Sequence, residues 1–272
     1  MYSSFFRLTC GIRQGGVLSP YFFASYIDDI VDIVKKEYHL GCYIKGHCVT
    51  ILLYADDIIL IAPTVMGLQK LFNIVESELA KLDMKINASK SYCIRIGPRY
   101  DSKCADISTS DGHVIEWTDE IRYLGVFIVC NKCFSCLFSH AKRSFYRSFN
   151  AIFGKIGRIA SDDVLLQLVK TKCIPALLYG LDACPINKAQ INSLQYAVTG
   201  MLMKLFKTKS KDIIQDCTYY FNFLTVEHYL FQRKYNFLFN FVRNTSTFSY
   251  IFNAEARDEL ASVSEKLCTY YV

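Results

Sequence analysis

Ile51-Leu52-Leu53-Tyr54-Ala55-Asp56-Asp57-Ile58-Ile59-Leu60-Ile61 is the stretch on which the fold turns. Two β-forming apolar runs, Ile51 to Tyr54 and Ile58 to Ile61, flank Ala55-Asp56-Asp57, which predicts a buried hairpin with two carboxylates at its turn. Adjacent ionised carboxylates repel each other and lose hydration beside an apolar sheet. They persist there either as an exposed polar turn or bound to cations. Hard Mg²⁺ takes oxygen ligands and shares its sphere with substrate phosphates, so the second alternative is a phosphoryl-transfer site. Two other pairs have structural explanations: Asp28-Asp29 lies within a helical pattern, and Asp162-Asp163 stands at a helix start, where the dipole favours acidic side chains.

Upstream of the hairpin, Ser19-Pro20 reads as an N-cap followed by a first-turn proline. Phe22, Phe23, Tyr26, Ile27, Ile30, Val31 and Val34 then recur at helical spacing, predicting a helix from about Pro20 to Lys36. Beyond Pro63, the positions Val65, Leu68, Leu71, Phe72, Val75, Leu79 and Leu82 mark a second amphipathic helix. Strands are expected near Tyr92 to Ile96 and near Tyr123 to Val129. After about Asn131 the pattern becomes helical, with Ser161 capping a helix that Pro175 closes and another helix from about Lys188 to Phe206. Between Tyr219 and Phe241, residues Tyr229, Leu230, Phe237, Leu238 and Phe241 fit one helical face, consistent with core packing or with base stacking.

Hydrophobic residues make up 52% of the 272 and charged residues 21%, a balance that excludes intrinsic disorder. A mean hydropathy of +0.18 leaves apolar surface for neighbouring chain to cover. No run reaches the roughly 18 apolar residues of a membrane helix, because Ile51 to Met66 carries Asp56 and Asp57. Met1 to Cys10 is too short and too broken by Ser and Arg7 for a secretory signal. The 12 cysteines are spread among apolar neighbours and read as reduced and buried, which points to the cell interior. Cys130, Cys133, Cys136 and His140 have a spacing that either surrounds a metal or arises by accident where a strand gives way to a helix. Lys132 to Lys211 holds 13 Lys or Arg against 3 acidic residues, in a chain whose net charge is only +6. That segment is either a nucleic-acid-binding surface with salt-dependent affinity or a solvated helical face.

Gly11-Ile12-Arg13-Gln14-Gly15-Gly16-Val17-Leu18-Ser19-Pro20 resembles motif B of the reverse transcriptases, in particular those of non-LTR (LINE-type) retrotransposons, and Tyr54-Ala55-Asp56-Asp57 resembles their motif C. Leu82-Asp83-Met84-Lys85-Ile86-Asn87 with Lys90 resembles motif D, and Tyr123-Leu124-Gly125-Val126 resembles motif E, the primer grip. Order and spacing agree for all four motifs, over residues 1 to about 130. Leu177-Leu178-Tyr179-Gly180 is similar to the segment that follows the palm in these elements. The fold class this implies is α+β: a partial right-hand polymerase palm over residues 1–131, an antiparallel sheet with helices, then a helical, basic, thumb-like region over 132–272.

The resemblance also implies roles. Asp56 and Asp57 would hold the Mg²⁺ pair of nucleotidyl transfer, and Lys90 is either the motif D proton donor to pyrophosphate or an ordinary exposed lysine. Arg13, Gln14, Gly15, Gly16, Tyr54 and Ala55 would lie at the nucleotide and template, and Tyr123, Leu124 and Gly125 at the primer end. Partners would be an RNA template, a DNA primer, a dNTP and the upstream polymerase segment, with no membrane; the nucleus joins the cell interior as a compartment. Family members carry a third catalytic aspartate in motif A, upstream of motif B, whereas Met1 to Cys10 contains no Asp or Glu. The expectation is therefore a polymerase piece inactive by itself, with an open edge in its sheet. The alternative is a non-enzymatic remnant that binds RNA or DNA through its basic helices. Asp83 stands where the family commonly has Gly.

Overall fold

The structure, a computed structural model, describes residues 16–157 and 159–268. These form two compact units, one within Met1–Cys93 and Lys103–Trp117, the other within Ile94–Ser102 and Thr118–Val272. Small sheets occupy the N-terminal half and helices the C-terminal region, so the fold is α+β.

In the first unit, α1 (Ser19–Lys35) carries Pro20 in its first turn and buries Ile27, Ile30 and Val34, three positions on one helical face. Ser19 is already helical and Leu18 takes the cap position without a side-chain hydrogen bond, which corrects the expected Ser19 cap. Proline's preset φ starts this helix without that bond. Phe22 and Tyr26 remain more than half exposed. β1 (Tyr43–Ile44) and β2 (His47–Cys48) form a small hairpin, followed by β3 (Ile51–Tyr54) and β4 (Asp57–Leu60), which pair antiparallel. The outer edges of β3 and β4 have no strand partner among the described residues.

Next comes α2 (Val65–Lys81), whose N-cap Thr64 accepts from the Gly67 amide at 3.0 Å. Leu71, Val75 and Leu79 of α2 pack with Ile27, Ile30 and Val34 of α1 and with Ile51 of β3 in one core. The helix ends in a pair of reversed hydrogen bonds, Met84 N–H to Leu79 O at 2.9 Å and Asp83 N–H to Ala80 O at 3.2 Å. This closure requires a left-handed residue, and Asp83 supplies it at φ +56°. Asp carries a strain here that glycine would avoid.

β5 (Tyr92–Cys93) lies parallel to β7 (Val114–Trp117), and β6 (Ile107–Ser108) lies antiparallel on the other side of β7. β6 and β7 are not among the strands expected from sequence; they are short and joined by the turn at Asp111-Gly112. Their position is set by α2, whose Gln69 amide both donates to Ser108 O and accepts from Ser108 N, each at 2.8 Å. Phe72, Cys93, Ile107 and Ile115 form the small core beneath them.

The second unit opens with the antiparallel pair β8 (Glu120–Tyr123) and β9 (Val126–Val129), then α3 (Ser139–Ile156) and α4 (Asp162–Leu168). Tyr123 to Val129, expected as one strand, is thus the turn and second arm of a hairpin. α4 runs through a π-helical turn at Val169–Cys173 into α5 (Ile174–Leu177). Pro175 therefore does not close the helix but sits in the first turn of α5. A widened turn releases the carbonyl that proline leaves without a donor, so the chain continues past it.

There follow α6 (Lys188–Leu205), begun by a reciprocal Asn187–Gln190 capping box, α7 (Lys211–Tyr220), α8 (Val226–Arg243), α9 (Thr247–Ile251) and α10 (Asn253–Cys268). Phe145, Phe149, Leu166, Leu177, Leu194 and Met201 are central to the core of this unit. Of the aromatic-rich stretch, Leu230 and Leu238 are buried whereas Tyr219 and Tyr220 are more than four-fifths exposed. Among the described residues no helix is long and apolar enough to cross a membrane.

Asp83→Gly relieves the left-handed strain at the end of α2, so thermal or urea unfolding is expected to show a gain of about 1 kcal/mol.

Candidate active site

The β3–β4 hairpin has two unlike faces, because side chains alternate along each strand. The register pairs Ile51 with Leu60 and Leu53 with Ile58, and these four side chains belong to the core under α1 and α2. Leu52 pairs with Ile59 and Tyr54 with Asp57, so Tyr54 and Asp57 share the opposite face. The loop is only Ala55-Asp56, and Asp57 is already the first residue of β4, one position earlier than the sequence pattern suggested. Ala55 adopts φ +52°, a left-handed conformation that costs a residue with a Cβ free energy and that recurs at functional sites.

Tyr54, Ala55, Asp56 and Asp57 are all exposed. Neither carboxylate has a hydrogen-bond or ion-pair partner among the described residues. As adjacent hard oxygen donors they suit Mg²⁺ in kind, although no group of three or more His, Cys, Asp or Glu side chains gathers at any one point among the described residues. The two control pairs behave differently: Asp28 and Asp29 lie on the exposed side of α1, and Asp162 and Asp163 occupy the first turn of α4.

Lys90 ends a short 3₁₀ turn at Ala88–Lys90, exposed, in the same unit as the hairpin. The neighbouring Lys85 is engaged instead: it forms a short ion pair with Asp111, which raises the lysine's pKa and lowers that of the carboxylate. Gly16 precedes α1, and its carbonyl accepts from Ser19 N at 3.2 Å. Arg13, Gln14 and Gly15 lie outside the described residues.

Tyr123, Leu124 and Gly125 belong to the second unit. Leu124 and Gly125 form the two-residue turn of β8–β9, both left-handed, at φ +46° and +83°. This is the geometry that suits the twist of a tight hairpin. The Tyr179 hydroxyl donates to the Leu124 carbonyl oxygen at 2.9 Å, a contact that no local pattern signals because 55 residues separate the two. Arg122 lies over the Phe127 ring, on which His140 stacks at 3.6 Å.

The four residues of the C-x2-C-x2-C-x3-H spacing have different partners. The Cys130 thiol donates to Tyr100 O at 3.2 Å, Cys133 is exposed, Cys136 is buried with its Sγ 3.0 Å from Cys184 Sγ, and His140 is held by Phe127 and Glu120. The run spans a strand end and a helix start, so successive side chains diverge.

Residues 2–128 match the reverse transcriptase (RNA-dependent DNA polymerase) family. The matched stretch contains the β3–β4 hairpin and ends inside β9. The chain is similar to Pol polyproteins of retrotransposable elements. It is similar to the retrovirus-related Pol polyprotein from a type-2 retrotransposable element of Drosophila melanogaster, at 29% identity over 43% of this chain and 11% of that protein. Similarity to the corresponding polyprotein from the type-1 element R2 of Popillia japonica is 25% over 63% of this chain and 24% of that one. A transposon-derived protein of Caenorhabditis elegans is 27% identical over 54% of this chain and 52% of its own length. The chain thus spans no more than about half of these relatives.

Burial pushes the Cys93 and Cys173 thiols up to about 11, and burial beside Cys136 pushes Cys184 up to about 12, against an ordinary 9.0. In native protein at pH 8, a thiol reagent is therefore expected to label the exposed Cys133 quickly and these three only on unfolding. Their folded values exceed the unfolded one. The stability they contribute is therefore complete below about pH 9 and lost as pH rises toward 11 to 12, which denaturation midpoints across that range would register.

Proposed function

We propose that this chain supplies part of the palm, residues 1–131, and a thumb-like region, residues 132–272, of an RNA-directed DNA polymerase of the non-LTR retrotransposon type. The observation that carries this reading is the exposed Tyr54-Ala55-Asp56-Asp57 turn, both carboxylates without a partner among the described residues, inside the stretch that matches the reverse transcriptases. Asp56 and Asp57 would hold Mg²⁺, which when bound stabilises charge on the attacking and leaving oxygens of the transferred nucleotide. Their exposure leaves room for an anionic substrate, and Leu52 and Ile59 lie on the same face of the hairpin as Tyr54 and Asp57.

Tyr54 and Ala55 would flank the nascent base pair, and Arg13, Gln14, Gly15 and Gly16 would line the nucleotide and template. Lys90 would place a proton on the departing pyrophosphate. Tyr123, Leu124 and Gly125 would hold the primer end. Substrates would be an RNA template, a DNA primer and a dNTP.

The resemblance implies a third aspartate beside Asp56 and Asp57, and residues 1–10 hold no Asp or Glu to supply it. In a Mg²⁺-dependent primer-extension assay on an RNA template, this chain alone is therefore expected to give no more product than its Asp56→Asn variant. Extension clearly above that variant would show that Asp56 and Asp57 suffice and would overturn the incomplete-site reading.

A second reading, nucleic-acid binding without catalysis, is favoured by the basic segment. Lys207 and Lys209, between α6 and α7, and Lys211, the first residue of α7, are exposed with no ion-pair partner among the described residues. Two other lysines of the segment are occupied: Lys204 donates to Asn150 Oδ1 at 3.0 Å and lies over the Phe149 and Phe153 rings, and Lys170 donates to the Phe221 and Asn222 carbonyls. Neutralising the three exposed lysines together should weaken RNA or DNA binding and reduce the slope of log K against log salt by about 2 to 3. An unchanged slope rejects this surface.

A further inference from the structure

Gly125 and Gly180 stand in a reciprocal relation across the second unit. A Cβ on Gly125 would meet the Tyr179 ring at 2.8 Å, and a Cβ on Gly180 would meet Val126 Cγ2 at 2.5 Å. Each glycine admits a side chain from next to the other, so Leu124-Gly125-Val126 and Tyr179-Gly180 interlock. Gly180 is left-handed at φ +72°, which turns the chain sharply after α5. The interlock is rooted on the helical side, because Leu177 and Leu178, immediately before Tyr179, are fully buried in the core of the unit. It is rooted on the hairpin side as well: Val126 packs against that same core, and the Leu137 amide donates to Phe127 O at 2.8 Å.

Tyr179 itself is more than half exposed although its hydroxyl is bonded, an arrangement that core packing does not require. Its ring, Leu124, Arg122 and His140 line one open cleft.

We infer that Tyr179 is a positioning residue that sets the Leu124-Gly125 turn from the end of α5, and so governs how that turn holds a primer end. The inference rests on the reading of this turn as the primer grip. The hydroxyl fixes the direction of the Leu124 carbonyl, and the ring, wedged where Gly125 has no side chain, fixes the height of the turn above α5. Since neither Leu124 nor Gly125 has another side-chain hydrogen bond among the described residues, loss of one hydroxyl should free the turn tip without disturbing the core beneath.

The test uses the full chain and its variants Tyr179→Phe, Gly180→Ala and Leu124→Glu, with folding checked by circular dichroism. Two quantities are read: amide hydrogen exchange across residues 120–129, and affinity for a fluorescent RNA–DNA primer–template with a recessed 3′ end compared with single-stranded RNA. Tyr179→Phe is expected to speed exchange at the turn and to weaken recessed-end binding, each by about 3- to 10-fold, the scale of one hydrogen bond, with single-stranded RNA binding unchanged. Gly180→Ala should move both in the same direction. Leu124→Glu, which sets a negative charge at the tip, tests the grip reading directly. If it weakens recessed-end binding while Tyr179→Phe leaves exchange and binding unaltered, the positioning role is overturned and the grip stands. If it leaves recessed-end binding unaltered, the grip reading falls, and the positioning role toward primer falls with it. An equal loss of single-stranded RNA binding in Tyr179→Phe would mark a general structural effect and would also overturn the proposal.

Discussion

Everything in the first unit follows from the register of one hairpin. Ile51, Leu53, Ile58 and Leu60 must face α1 and α2, because only there is their apolar surface removed from water. Slipping the pairing by one residue would exchange the two faces of a strand and expose this set. With that register in place, Tyr54 and Asp57 are committed to the opposite face and Asp56 to the loop. The carboxylates are exposed because burying either would cost more than the hairpin's packing returns without a counter-charge. The strain of a left-handed Ala55 is sustained by the same packing, since a tight two-residue loop is the only link the paired strands allow.

The second unit solves a different problem. Its hairpin is too short to stabilise itself, with four residues in each arm. It is held by the turn after α5, through the Tyr179–Leu124 hydrogen bond and the two facing glycines, and by the pairing of Ile128 with Cys136 just ahead of α3. A turn that belongs in sequence to the reverse transcriptase stretch is thus fixed by residues beyond it. This ties Tyr179-Gly180 to the Leu124-Gly125 turn through contacts that core packing alone does not require.

Much of this was legible in the chain itself. α1, α2 and α6 announce themselves because each repeats apolar residues at helical spacing over about four turns, and the hairpin does so because four-residue apolar runs flank two acids. Elements held by distant partners were not legible. β6 depends on the Gln69 amide, 39 residues away, and the two-residue strands have no periodicity to read. Pro175 suggested a helix end, yet the chain absorbs it in a π-helical turn because Val169, Cys173 and Ile174 are buried on the same core as α4. Even-spaced cysteines suggested a ligand set, but spacing along a chain that changes from strand to helix does not carry side chains to a common point.

By itself the sequence determined the α+β class, the apolar hairpin with its paired carboxylates and the match of residues 2–128 to the reverse transcriptase family. These rest on local periodicity and on residue types whose chemistry admits few alternatives. Only the tertiary structure decided which face of the hairpin carries Asp57, that Asp83 bears the left-handed end of α2, which lysines of the basic segment stand free, and that Tyr179 holds the Leu124-Gly125 turn. Each of those depends on contacts between residues far apart in the chain, and such contacts are selected by the packing of the whole core, which no short stretch of sequence encodes.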